Sequence, residues 1–158
     1  MNTLLLVDDN LGLREQMKWS FLSDYTVFEA GNSTECIAQF QKNKPEIVLL
    51  DMGLDNIPDK GLELLDSILE IERTAKVIVI TANTSGTLGL ESVKRGAFDF
   101  LIKPVNMDNL KVVMERALRI KSLEQASSKF SSSGKFQIEN NVFMLGESDS
   151  MKRIFELI

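Results

Sequence analysis

Three aspartates, a threonine and a lysine stand where apolar runs end. "LLLVDDN" drives four aliphatic residues into Asp8 and Asp9, "IVLLD" ends on Asp51, "VIVIT" on Thr81 and "FLIK" on Lys103. Adjacent carboxylates repel, and two unit charges ~4 Å apart cost about 4 kcal/mol at an effective dielectric near 20. If these ends converge, Lys103 offsets one negative charge and a divalent cation offsets the other two. The chain contains no histidine, which removes histidine-based triads and histidine-rich zinc sites and leaves oxygen ligands for any metal. Carboxylates, a backbone carbonyl and water suit Mg²⁺, which keeps part of its hydration shell. A carboxylate beside a cation, a lysine and a hydroxyl is an arrangement for phosphoryl transfer. In such an arrangement Asp51 could attack phosphorus and become an aspartyl phosphate. The cation and Lys103 would neutralise the transferring oxygens, and Thr81 would hydrogen-bond one of them. Singly, each residue has a plainer use: a helix cap or turn for an aspartate, a strand-end hydroxyl for Thr81, a surface turn for Lys103-Pro104. The functional reading rests on their joint occurrence.

Five apolar runs carry these residues: Leu4–Val7, Tyr25–Ala30, Glu46–Leu50, Lys76–Ile80 and Phe98–Ile102. "LLLV", "IVLL" and "VIVI" are continuous rather than alternating, as in strands of a parallel sheet covered on both faces. Helical spacing lies between them. Leu62, Leu65, Ile68 and Leu69 share one face, as do Leu110, Val113, Met114, Ala117 and Leu118. Strand–helix alternation repeated five times predicts a doubly wound α/β domain. The common order for such a five-stranded parallel sheet is 2-1-3-4-5, with a crevice beyond the carboxyl ends of strands 1 and 3. In that order the strands ending in Asp8-Asp9, Asp51, Thr81 and Lys103 are neighbours. Strand 2, at the edge, ends in Ala30-Gly31-Asn32 and supplies nothing ionisable there.

The 158 residues predict one domain with an appendage. A net charge of −5 argues against a nucleic-acid surface, and no apolar run approaches the ~18 residues of a membrane span. The start lacks the basic lead of a signal peptide. Cys36 is the single cysteine, so no intrachain disulfide forms and a cytoplasmic location is expected. Its helical neighbours Ile37 and Phe40 make it a small core residue. The last helix continues through "RIKSLEQASSKF". A weak three–four spacing over Val113, Arg116, Ile120, Leu123, Ser127 and Phe130, interrupted by an arginine and a serine, leaves two readings open: dimeric pairing or an ordinary solvated helix end. "SSSG" (131–134) reads as linker. Ser148 then caps a stripe of Met151, Ile154, Phe155 and Ile158 that has no partner in the chain, as in a domain cut near its beginning.

"LLLVDDN", "IVLLDMG", "VIVITA" and "GAFDFLIKP" resemble the receiver domain of bacterial two-component response regulators, as does the spacing from Asp51 to Thr81 to Lys103. The resemblance covers residues 1–125 and implies the flavodoxin-like receiver fold with an extended C-terminal helix. It implies that a partner histidine kinase phosphorylates Asp51. Asp9 then ligates Mg²⁺ directly, Asp8 mostly through water, and the Gly53 backbone carbonyl supplies a third protein ligand. Thr81 and Phe100 become the switch pair, and Pro104 follows a cis peptide bond. One departure stands out: after Asp51, "MGLDNIPDKG" puts Asp55 where the family has proline, and Gly61 comes two residues late. "MLGESDSMKRIFELI" resembles the opening of the AAA+ domain of sigma-54-dependent (NtrC-like) activators. Residues 126–138 are then a linker and 139–158 the start of that domain. The phosphate-cradling GxxxxGK[ST] motif is absent from these residues. Sigma-54 RNA polymerase and DNA would be engaged only by regions outside this chain, and the expected assembly is a homodimer through the last helix and linker. Two alternatives compete. An aspartate-nucleophile phosphohydrolase needs a second aspartate two residues after the nucleophile, where Gly53 stands. A purely dimerising module would lack a pocket residue, and none is missing.

Overall fold

A computed structural model of the protein describes residues 2–54, 60–82 and 87–134, with side chains as far as residue 126. Five strands, β1 (Asn2–Val7), β2 (Tyr25–Ala30), β3 (Ile47–Asp51), β4 (Lys76–Thr81) and β5 (Asp99–Ile102), alternate with five helices. These are α1 (Leu11–Phe21), α2 (Ser33–Asn43), α3 (Lys60–Ile71), α4 (Thr87–Lys94) and α5 (Met107–Gly134). All strand pairs are parallel, in the order β2-β1-β3-β4-β5 that the sequence predicts. Observed strand limits lie within two residues of the expected ones, the ordinary uncertainty of a terminus.

The three continuous apolar runs are buried on both faces. Alternate residues of each strand serve opposite cores, as the period of two requires. Leu5, Val7, Val48, Leu50, Val77 and Val79 pack with Cys36, Phe40, Leu62, Leu65 and Ile68 from α2 and α3. Leu4, Leu6, Ile47, Leu49, Ile78 and Ile80 pack with Phe21 from α1 and with Leu110, Val113, Met114 and Ala117 from α5. Cys36 is fully buried, and burial pushes its thiol pKa up to about 12. Both expected helix faces therefore point inward, with Leu69 and Leu118 partly buried at their margins.

The first compact unit of the chain spans residues 1–121. Two expectations for the C-terminal part bear on α5. "SSSG", which by composition suggests irregular chain, is helical: α5 runs through it to Gly134. Once a long helix is nucleated, each added residue gains a backbone hydrogen bond, and the serine and glycine penalties of ~0.5–1 kcal/mol each do not end it. The proposed pairing seam is also partly used within the domain: Val113 lies in the core and Arg116 pairs with Asp99 at 2.9 Å. Leu123, further along, is exposed. The expectations for residues 135–158, including the Ser148 cap and the Met151–Ile158 stripe, lie outside the described residues. Among the described residues no helix is long and apolar enough to cross a membrane.

Candidate functional site

The sheet order brings the polar strand ends together. Asp8 and Asp9 follow β1, Asp51 closes β3, Thr81 closes β4, and Lys103 follows β5. Carboxylate oxygens of Asp8, Asp9 and Asp51 all lie within 4.8 Å of one another. Asp8 and Asp51 are buried while Asp9 faces solvent. The Lys103 Nζ sits 3.2 Å from the Asp51 Oδ1. Lys103 is positioned by its own backbone, whose N–H donates to the Thr81 carbonyl at 2.8 Å, and the Lys103-Pro104 peptide is cis. Thr81 is almost wholly buried.

The turn after β1 is tied down locally. The Asn10 N–H donates to the Asp8 Oδ1 at 2.8 Å, and the Asn10 Oδ1 accepts from the Leu13 N–H at 3.1 Å to cap α1. Burial raises the pKa of Asp8 above its ordinary value, and the Asp51 and Asp9 charges add to this. The Asn10 N–H and the Lys103 charge work the other way. Desolvation of Asp8 and the nearness of two further carboxylates both favour a positive charge beside it. The donor set is all oxygen, carries three charges, and has one cation beside it. It fits a hard divalent ion such as Mg²⁺.

Gly53 lies in the turn immediately after Asp51 and Met52, where an added Cβ would meet nothing within 4 Å. Gly61 is the constrained glycine. A Cβ there would lie 2.7 Å from the Met52 Cα, and the Gly61 N–H donates to the Met52 carbonyl at 2.8 Å. The start of α3 thus presses on the residue that follows Asp51, despite the two extra residues. Asp55 lies outside the described residues. Phe100 is partly buried against the α2–α3 side of the sheet, and its ring occupies the space a Cβ at Gly89 of α4 would need.

Sequence reasoning missed Arg14 and Glu29. Arg14, on α1, donates from Nη1 to the Asp8 carbonyl at 2.7 Å and from Nε to the Glu29 Oε1 at 3.1 Å. Lys18 meets the Glu29 Oε2 at 3.0 Å. Burial pushes the Glu29 carboxyl up, but hydrogen bonds from Lys18 and Arg14 outweigh it and hold the pKa below its usual value. Edge strand β2 therefore does supply an ionisable group next to the acid-bearing turn, one residue before its end. An acid interrupting "YTVFEA" is the signal that was available.

The family of response regulator receiver domains matches residues 4–115 of this chain. The chain is similar to the chemotaxis protein CheY of Listeria monocytogenes, 34% identical over 121 residues that cover 75% of this chain and all of that one. It is also similar to the regulatory protein AtoC of Escherichia coli, 29% identical over 126 residues. That match spans 79% of this chain but 27% of AtoC, so the chain covers about a quarter of that relative's length. The crystal structure of NtrX from Brucella abortus in complex with ADP aligns with a TM-score of 0.77 at 29% identity, over 99% of this chain and 34% of that one.

Proposed function

This chain belongs to the response regulator receiver domain family, and from that membership and its acid cluster we propose that Asp51 is the phosphoacceptor of a two-component signalling protein. The carrying observation is the meeting of three carboxylates with Lys103 at the carboxyl ends of neighbouring strands. An Asp51 carboxylate oxygen attacks the phosphorus of a kinase phosphohistidine. The new P–O bond forms as the P–N bond breaks, and the imidazole leaves with the bonding electron pair. Lys103, already on the Asp51 Oδ1, stabilises the negative charge on the transferring oxygens. Thr81, at the adjacent strand end, hydrogen-bonds one of them. Asp8, Asp9, Asp51 and the Gly53 carbonyl would hold Mg²⁺, which when bound neutralises phosphoryl oxygen charge. Asp51 is consumed once per event, so the domain acts as an acceptor and not as a turnover enzyme.

Thr81 and Phe100 form the switch in this reading, with Phe100 linking the pocket to α4 through Gly89. Leu13, Met17 and the exposed Trp19 on α1 line an apolar cleft with Pro104, Val105 and Met107, which also reaches Asp8 and Lys103. That cleft supports docking of the kinase beside the acceptor. Residues 1–125 are the receiver, 126–138 connect it onward, and 139–158 open an AAA+ domain of a sigma-54-dependent transcription activator. Sigma-54 polymerase and DNA are met by regions beyond this chain. The protein works in the cytoplasm as a homodimer, paired through the part of α5 that carries exposed Leu123 and through the following connection. Incubation with acetyl phosphate and Mg²⁺ tests the assignment: a labile mass increase at Asp51, removed by base or hydroxylamine, is expected. Labelling that persists in Asp51→Asn overturns it.

A further inference from the structure

Behind the acid cluster lies a truss of opposite charges that the phosphoryl chemistry does not itself use. The Asp8 N–H donates to the Ala30 carbonyl at 3.1 Å, so β2 holds the peptide before Asp8. The peptide after Asp8 is held by Arg14, whose Nη1 lies 2.7 Å from the Asp8 carbonyl. That peptide contains the Asp9 nitrogen, and its plane sets how the two carboxylates are turned relative to each other. Arg14 is fixed in turn. Its Nε meets Glu29, which Lys18 also grips, and its side chain is only 16% exposed. Gly31 leaves it room, since a Cβ there would lie 2.9 Å from the Arg14 Nη1. The guanidinium fork is needed because two acceptors must be met from one rigid plane, which a lysine ammonium does not offer.

We propose that Arg14 is a positioning residue for the cation site, setting the Asp8 and Asp9 carboxylates through the peptide between them, with Glu29 holding Arg14 in register. The inference rests on the reading that the acid cluster binds Mg²⁺. Two effects of Arg14 oppose each other. Its positive charge near the cluster disfavours a cation, and its fork prearranges the ligands. Arg14→Lys keeps the charge and removes the fork, whereas Arg14→Gln removes both.

The experiment is isothermal titration of the protein with Mg²⁺, paired with the rate of labelling by acetyl phosphate across Mg²⁺ concentrations. Both Arg14 variants should raise the Mg²⁺ dissociation constant about tenfold, the low end for loss of a partner that orients a ligand. The labelling rate at saturating Mg²⁺ should stay near that of the parent protein. Glu29→Gln, which leaves the Arg14–Asp8 bond possible, should shift the constant in the same direction by less, and it serves if the Arg14 variants do not fold. Parent-like affinity in Arg14→Lys, or tighter binding in Arg14→Gln, would mean that charge alone acts and would overturn the assignment while leaving the Mg²⁺ reading intact. Equal loss of affinity and saturated rate would mark a general structural role and would also overturn it. A parent protein that takes up no Mg²⁺ would instead sink the site reading itself.

Discussion

Replacing Asp8 by asparagine should make the metal-free protein more stable. Oxygens of Asp8, Asp9 and Asp51 lie within 4.8 Å of one another. One pair of full charges at that distance repels by about 3.5 kcal/mol at an effective dielectric of 20. Asp8 takes part in two such pairs and is itself desolvated, with its pKa raised for these reasons. The raw repulsion is reduced by Lys103 and by solvent around exposed Asp9. Asparagine keeps the oxygen that accepts the Asn10 N–H, at 2.8 Å in the parent. A net gain of about 1–2 kcal/mol is therefore expected without a cation, less than a third of the raw sum. At roughly 2–4 °C per kcal/mol, the unfolding midpoint rises by about 2–8 °C. Mg²⁺ should reverse the ranking. At a hundredfold excess over its dissociation constant, a ligand of the native state stabilises the parent by about 2.7 kcal/mol, and the variant should lose most of that increment. Calorimetric scans in EDTA and in excess Mg²⁺ provide the check. A variant that melts below the parent in EDTA, or that gains as much from Mg²⁺, would refute the electrostatic account.

Gly61→Ala should destabilise by about 1–3 kcal/mol, because its Cβ would press on Met52 backbone that has no rotamer to change; urea unfolding at constant slope measures it. The pH dependence of the metal-free protein should carry two opposed signatures. The native state takes up the Asp8 proton at higher pH than the unfolded chain, whose value is near 3.8. This group therefore adds stability as pH falls through the raised native pKa, and that contribution is lost as pH rises through it. Glu29 is depressed below 4.5, so its contribution is present above that value and is lost as pH falls through its native pKa. Melting in EDTA from pH 7 downward, with Asp8→Asn and Glu29→Gln each removing one signature, separates the two. Mg²⁺ affinity should fall over the Asp8 range, where protons compete for the carboxylate.

The sheet was legible in the sequence because its information is local. "LLLV", "IVLL" and "VIVI" each state a strand buried on both faces, and handedness leaves few ways to order five such strands. The strand ends then name their own residues, and Asp8, Asp9, Asp51 and Lys103 come together for that reason. The end of α5 was not legible. Serine and glycine read as linker by composition, yet a helix already 24 residues long extends through them to Gly134. Gly61 looked displaced by two residues, but what matters is where α3 meets Met52, and that distance is spatial.

Arg14 and Glu29 show why a supporting shell is harder to read than a pocket. Neither stands at a strand end, and fifteen residues separate them. Arg14 is an ordinary amphipathic-helix cation until α1 is laid across β1 and β2, and its key acceptor is a backbone carbonyl, which no side-chain motif records. Glu29 carries the one available clue. A partly buried carboxylate on a strand needs a cation, and α1 supplies two, one turn apart at positions 14 and 18. An acid in a strand beside a turn rich in carboxylates is thus a reason to expect an arginine at that spacing on the preceding helix.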